Sequence, residues 1–162
     1  MAKWTMGKGL ANYLEKLENL HGASPAIIGK AIYDGAKIVA DEVKAEIYKI
    51  PIENRFVKDG DPLLSGITYL EKKGLIDGMG IAKIQTDGDY RNVKVGFDGY
   101  NEQESYYYGR IANQLIANSL ESGTYFRKKN PFISRAVRRC RERAEMAMAK
   151  KVDEECAKIF KE

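Results

Sequence analysis

Apolar residues recur at helical spacing in four stretches of the chain and alternate with polar ones in a fifth. Leu10, Tyr13, Leu14, Leu17 and Leu20 follow a period near 3.6, which predicts a short amphipathic helix closing near His21-Gly22. Ser24 then offers an N-cap and Pro25 a first helical residue whose missing N–H loses nothing. From there Ile28, Ile32, Gly35, Val39 and Val43 share one stripe, flanked by Ile47. This second helix should stop near Ile50, because Pro51 disfavours the α conformation in the residue before it. Gly35 costs its helix about 1 kcal/mol relative to alanine, which points to close approach of another backbone element there. Ile111 to Ser122 reads as a further helix, with Gly123 placed to close it. Asn130 caps and Pro131 opens the last one. Phe132, Ile133, Ala136, Val137, Cys140, Ala144, Ala147, Met148, Val152, Cys156, Ile159 and Phe160 run along it to the end of the chain, over roughly 45 Å.

The alternating stretch is a hairpin. Gly80 to Thr86 and Tyr90 to Phe97 each place apolar residues at every second position and meet around Asp87-Gly88, a strong short-range turn signal. Breakers fill 51–62, which reads as a long loop. Leu63 to Lys73 fits either loop or a short helix. A second long loop is expected over 98–110: Asp98 to Ser105 is polar, and Tyr106-Tyr107-Tyr108 is a candidate extra strand. The expected fold is a single α+β domain over 1–162. In it a small antiparallel β-sheet, the hairpin plus that strand, is covered by two long α-helices, with short additional helices.

Composition supports a globular chain. With 162 residues and 44% hydrophobic content, folding can bury roughly 70% of the unfolded surface. No apolar run reaches the ~18–20 residues of a membrane span, so no membrane partner is expected. The first residues lack the apolar core of a secretory signal, so a cytoplasmic setting is expected. Cys140 and Cys156 are 16 positions apart on one expected helix, about 24 Å along its axis, which excludes a bridge between them.

The same inventory leaves little for catalysis. His21 is the one histidine, follows a leucine-rich helix and has no neighbouring nucleophile; with no Cys-x-x-Cys, a zinc site is not expected. Asp59-Gly60-Asp61 and Asp87-Gly88-Asp89 lack the spacing of a calcium loop and suit turns. Gly78-Met79-Gly80 lacks the context of a phosphate-binding loop. No catalytic, cofactor-binding or metal-ligating set is expected, and no cofactor.

Charge is distributed unevenly. The chain holds 27 basic and 23 acidic residues, net +4. Arg127, Lys128, Lys129, Arg135, Arg138, Arg139, Arg141 and Arg143 fall close together with Glu142 as their one acid. The remainder of the chain is mildly acidic. Charged helix faces are commonly just solvated. Here, though, arginine dominates, its planar fork suits carboxylates and phosphates, and the cluster sits towards a helix N-terminus, which does not favour cations. An interface is expected, with an acidic protein surface preferred over nucleic acid because no helix-turn-helix or zinc-finger pattern accompanies it. A β-hairpin with an open edge also invites a neighbouring strand.

The order of segments carries a resemblance. Gly9-Leu10-x-x-x-Leu14 precedes a long helix ending at a proline; then come Leu63-Leu64-Ser65-Gly66-Ile67, the hairpin, Glu121-Ser122-Gly123-Thr124, and Asn130-Pro131-Phe132-Ile133-Ser134-Arg135-Ala136. From about Gly9 to Phe160 this resembles the tail-component family of long-tailed bacteriophages and prophages, encoded among the head–tail joining genes. The pair Glu-x-Gly-Thr and Pro-Phe-(x)3-Ala is its most specific part; the segment from Asp98 to Arg110 is longer than the pattern. The resemblance implies that Gly123, followed in the motif by Thr124, reverses the chain and that Pro131 and Phe132 start and anchor the last helix. It further implies a non-enzymatic neck or tail-completion protein, found in the virion or encoded by a prophage. Such a protein would act between capsid connector and tail, assembling with copies of itself, as a ring or other homo-oligomer, and with other neck or tail proteins. DNA contact through the basic segment is the alternative.

Overall fold

The computed structural model describes residues 8–88, 90–105 and 109–161. Its class is α+β. The two helices expected before Pro51 are one: α1 (Lys8–Lys49) runs straight through His21, Gly22 and Pro25. Pro25 therefore does not open a helix, and Ser24 does not cap one. The proline removes the hydrogen bond its N–H would have given to the carbonyl of His21, and its ring crowds that carbonyl. The helical spacing on either side is sufficient to carry the backbone across.

The last helix, α4 (Phe132–Lys161), lies antiparallel along α1, with Arg135 and Arg139 beside Glu46 at one end and Glu155 beside Lys30 towards the other. Small side chains let the axes approach: Ala31, Ala36 and Ala40 on α1 and Ala136, Cys140 and Ala144 on α4 are buried. The neighbour that Gly35 accommodates is a side chain rather than a backbone, since a Cβ there would lie 2.8 Å from Met148. The pairing loses step near Pro25. Lys30 binds Glu155 at 2.5 Å and Lys16 binds the Phe160 carbonyl at 2.8 Å. Those positions are separated by about 21 Å along α1 but only about 7.5 Å along α4. The section of α1 before Pro25 thus leans across the end of α4, and none of residues 12–26 is buried.

Between the long helices the chain is compactly tied. The loop 51–68 folds back on itself through Ile67 N–H to Pro51 O at 3.0 Å and Glu53 N–H to Ile67 O at 2.8 Å. Gly66 fits beneath Pro51, whose carbonyl oxygen would be 2.2 Å from a Cβ. The open reading of Leu63 to Lys73 resolves into loop and then α2 (Tyr69–Gly78), opened by a capping box in which Thr68 Oγ1 accepts from Glu71 N–H and Glu71 accepts from Thr68 N–H.

The hairpin is present but interrupted. β1 (Met79–Ile81) pairs antiparallel with β4 (Val95–Phe97), and β2 (Gln85–Asp87) with β3 (Tyr90–Asn92). Three residues, 82–84, oppose two, 93–94, so a bulge divides the ribbon and turns its outer half away from the core. Asp89 lies outside the described residues.

The long loop expected over 98–110 is corrected by a second hairpin, β5 (Tyr100–Ser105) with β6 (Gly109–Ala112). Its polar composition hid it: among the described side chains of β5, Asn101 is buried, against α2, where a Cβ on Gly78 would stand 2.3 Å from the Asp98 carbonyl oxygen. Tyr106 to Tyr108, the candidate strand, fall outside the described residues. In place of one small sheet the described residues form three two-stranded ones. The third helix in chain order, α3 (Asn113–Ser122), closes at Gly123 as expected. The two long helices pack chiefly on each other, and the ribbon leans on α1 through Ile84 beneath Gly29. The core gathers at one end of the helix pair: Val43, Ile47 and Ile50 meet Ile67, Leu75, Met79, Ile116, Leu120 and Phe132.

Candidate interaction surface

The junction between α3 and α4 is built by the residues singled out in the sequence. Gly123 has φ +78° and closes α3 by donating to the Ser119 carbonyl. Such a φ strongly favours glycine, and the backbone of Lys129 stands about 3.0 Å from where a Cβ would be. Thr124 and Arg127 exchange backbone hydrogen bonds across the turn at 2.9 and 3.4 Å. Glu121 caps α4: its oxygens accept from Ile133 N–H at 2.9 Å, Ser134 N–H at 3.1 Å and the Ser134 hydroxyl. A carboxylate at a helix N-terminus meets both free N–H groups and a favourable dipole. Pro131 precedes the first helical residue, and its carbonyl accepts from Arg135 N–H. Phe132 is fully buried, with its ring 6.2 Å from Phe97.

The basic segment does not form one continuous outward patch. Arg127 is withdrawn inside at 4% exposure, a correction to its expected place on a contact surface. Its guanidinium donates to both oxygens of Glu71, at 3.0 and 2.9 Å, and to Ser119 Oγ at 2.8 Å. Arg135 and Arg139 point back at α1, where the buried Glu46 accepts from Lys49 at 2.6 Å, Arg135 at 2.6 Å and Arg139 at 2.7 Å. Led by Lys49, these donors outweigh burial and hold the Glu46 carboxyl down to about 2. Glu42 is shared by Arg143 and Arg139, and chiefly Arg143 lowers its pKa. Arg141 pairs with Glu145 on its own helix at 2.8 Å. Lys128, Lys129 and Arg138 are exposed and have no ion pair among the described residues.

Aromatic residues on the same end add what charge counting missed. Tyr125 is 92% exposed and Phe56 91%. Their loops are joined by Leu64, whose N–H donates to the Phe126 carbonyl at 2.9 Å and whose carbonyl accepts from Lys128 N–H at 2.8 Å. The sequence signal was available: an aromatic residue between turn formers, outside any apolar period.

A cleft of about 520 Å3 opens at the far end of α2, where Asp77, Asp98, Glu102, Lys73, Asn101 and Asn113 contribute to its walls. Lys73 binds Glu102 at 2.8 Å, which raises the lysine and lowers the carboxyl. Asn113 donates to the Asp98 carbonyl at 2.8 Å, while the Asn101 amide, 1% exposed, has no partner among the described residues. No cysteine or histidine lines it. His21 lies exposed on α1, Cys140 is buried with its thiol pushed up by desolvation, and Cys156 is half-buried; both cysteines are free. Among the described residues no group of three or more His, Cys, Asp or Glu could hold a metal ion, and no helix is long and apolar enough to cross a membrane. No protein-family model matches the chain, and comparison with curated proteins and with solved structures finds no match.

Proposed function

We propose that this chain is a non-enzymatic virion component of a long-tailed bacteriophage or prophage, of the neck or tail-completion type, joining the head connector to the tail through protein–protein contacts. One observation carries the reading. The residues on which the resemblance rests, Glu121, Gly123, Thr124, Pro131 and Phe132, are those that cap, turn and anchor the α3–α4 junction. A motif with that structural duty is what a shared fold would retain, and it presents Tyr125, Lys128 and Lys129 on its outer side. The alternative, a nucleic-acid-binding module, draws less support than composition suggests. Arg127, Arg135, Arg139 and Arg143 are already bonded to carboxylates of the same chain, and each such pair leaves less charge for phosphate.

The reading is tested by deleting the gene from the phage or prophage that carries it. Full heads and finished tails should accumulate unjoined, and purified protein added to the lysate should restore joined, infectious particles. Infectious particles formed at the normal yield without the protein would sink the proposal. Duplex DNA bound at low salt, with a steep salt dependence and no effect on joining, would favour the alternative.

A further inference from the structure

We infer that the α3–α4 loop of one copy seats in the α2–β5 cleft of a second copy, a head-to-tail contact between two unlike surfaces of the same chain. The donor surface is the loop carrying Tyr125, Lys128 and Lys129. Its ring is almost wholly in solvent and its two ammonium groups have no ion pair among the described residues. The backbone beneath them is already fixed, by the Leu64 hydrogen bonds on either side of Arg127 and by the Arg127–Glu71 pair. Presenting exposed groups on a pre-ordered backbone lowers the entropy lost on binding.

The receiving surface has the opposite character. In the cleft Asp77 and Asp98 have no ion pair among the described residues, and Glu102 is balanced by Lys73. Its volume, about 520 Å3, falls in the range of about 300–1,000 Å3 in which protein pockets take ligands. An amphipathic tyrosine with a neighbouring lysine suits a polar, acid-lined recess. Asn101, which contributes to its wall, has neither amide atom hydrogen-bonded among the described residues.

The two surfaces do not pair with each other within one chain. The loop is pinned to Glu71 in the first turn of α2, whereas Asp77 stands in the last, and no ion pair joins them. A second copy brings base to acid and leaves its own loop and cleft free to repeat the contact. Unlike surfaces of this kind build rings where the rotation closes and open chains where it does not. The contact belongs to the protein alone and stands or falls separately from the neck reading.

Sedimentation of the purified full chain tests it, from about 10 to about 300 µM at low and high salt, since exposed charge pairs weaken as salt rises. Wild type should gain mass with concentration at low salt and lose that gain at high salt. Lys128→Glu/Lys129→Glu and Asp77→Lys/Asp98→Lys should each be monomeric. An equimolar mixture of the two should associate again, because every contact regains opposite charges. The neutral pair, Lys128→Ala/Lys129→Ala and Asp77→Asn/Asp98→Asn, should form mixed 1:1 dimers that grow no further. Tyr125→Ser should weaken association tenfold or more with unchanged circular dichroism. Wild type monomeric throughout, or folded charge-reversed variants that fail to associate when mixed, overturns the inference; so does association that survives both reversals.

Discussion

A guanidinium with almost no water around it needs acceptors from the protein, and Arg127 finds them in Glu71 and Ser119. Removing one member of a buried charged pair strands the other and typically costs about 3–5 kcal/mol, whereas replacing both by apolar groups is far milder. Glu71→Ala should therefore lower the urea midpoint sharply, more than loss of the Thr68 capping contact alone explains, and Glu71→Leu/Arg127→Met should recover much of the difference. If the double variant is as unstable as the single one, the pair is not the reason Arg127 is inside. Gly66 offers a purely steric counterpart. A methyl group there would meet the Pro51 carbonyl oxygen at 2.2 Å, and backbone yields less readily than a flexible side chain. Gly66→Ala should cost about 1–3 kcal/mol, as overpacking does, read as a fall in urea midpoint at unchanged slope.

At the scale of elements, the ion pairs between α1 and α4 explain both the position of the basic segment and its acid response. The Glu46 carboxyl is held down to about 2 by Lys49, Arg135 and Arg139. Unfolded, the same group returns to the ordinary carboxylate range, near 4.5, so below that pH the unfolded chain binds the extra proton. Stability from this site should thus be complete at neutral pH and be lost progressively between about pH 4.5 and 2. Glu46→Gln should show a shallower acid slope in urea titrations at successive pH values; an identical slope contradicts the assignment. Pro25 gives the opposite sign. A proline inside a helix costs up to about 3 kcal/mol, so Pro25→Ala should raise helicity and the melting temperature. Periodicity made α3, α4, the first hairpin and the halves of α1 legible in advance, since each carries its own apolar face, and Gly123 marked the end of α3. The expected starts were less exact: Asn130 and Pro131 both precede α4, whose first N–H groups are met by Glu121 instead. The join at Pro25 was not, because a proline after a serine is locally a better start than a middle. Nor was β5, whose inward side chain is Asn101, so that no apolar alternation marks it. The α2 cap was readable, as Thr68-x-x-Glu71, but sat where the apolar spacing was ambiguous. Of the basic segment, composition revealed the charge but not the carboxylates 56 to 101 positions away that neutralise much of it.

For the molecule as a whole, apolar burial is graded along the helix pair. The core fills the end where Val43, Ile47 and Phe132 meet, and the loops that carry Phe56 and Tyr125 decorate that same end. Toward the other end burial thins, and α1 before Pro25 meets α4 at Phe160 in its last turn. Opening free energy follows buried contacts rather than secondary structure, so the one continuous rod should behave as two tiers. Backbone amides of residues 12–24 should trade hydrogen for deuterium by local fraying, orders of magnitude sooner than those of residues 36–47, which wait for global unfolding. Uniform protection along the rod would contradict this. A rod with one anchored half and one loosely leaning half can be re-aimed by a small push at its outer tip while everything around Phe132 stays still.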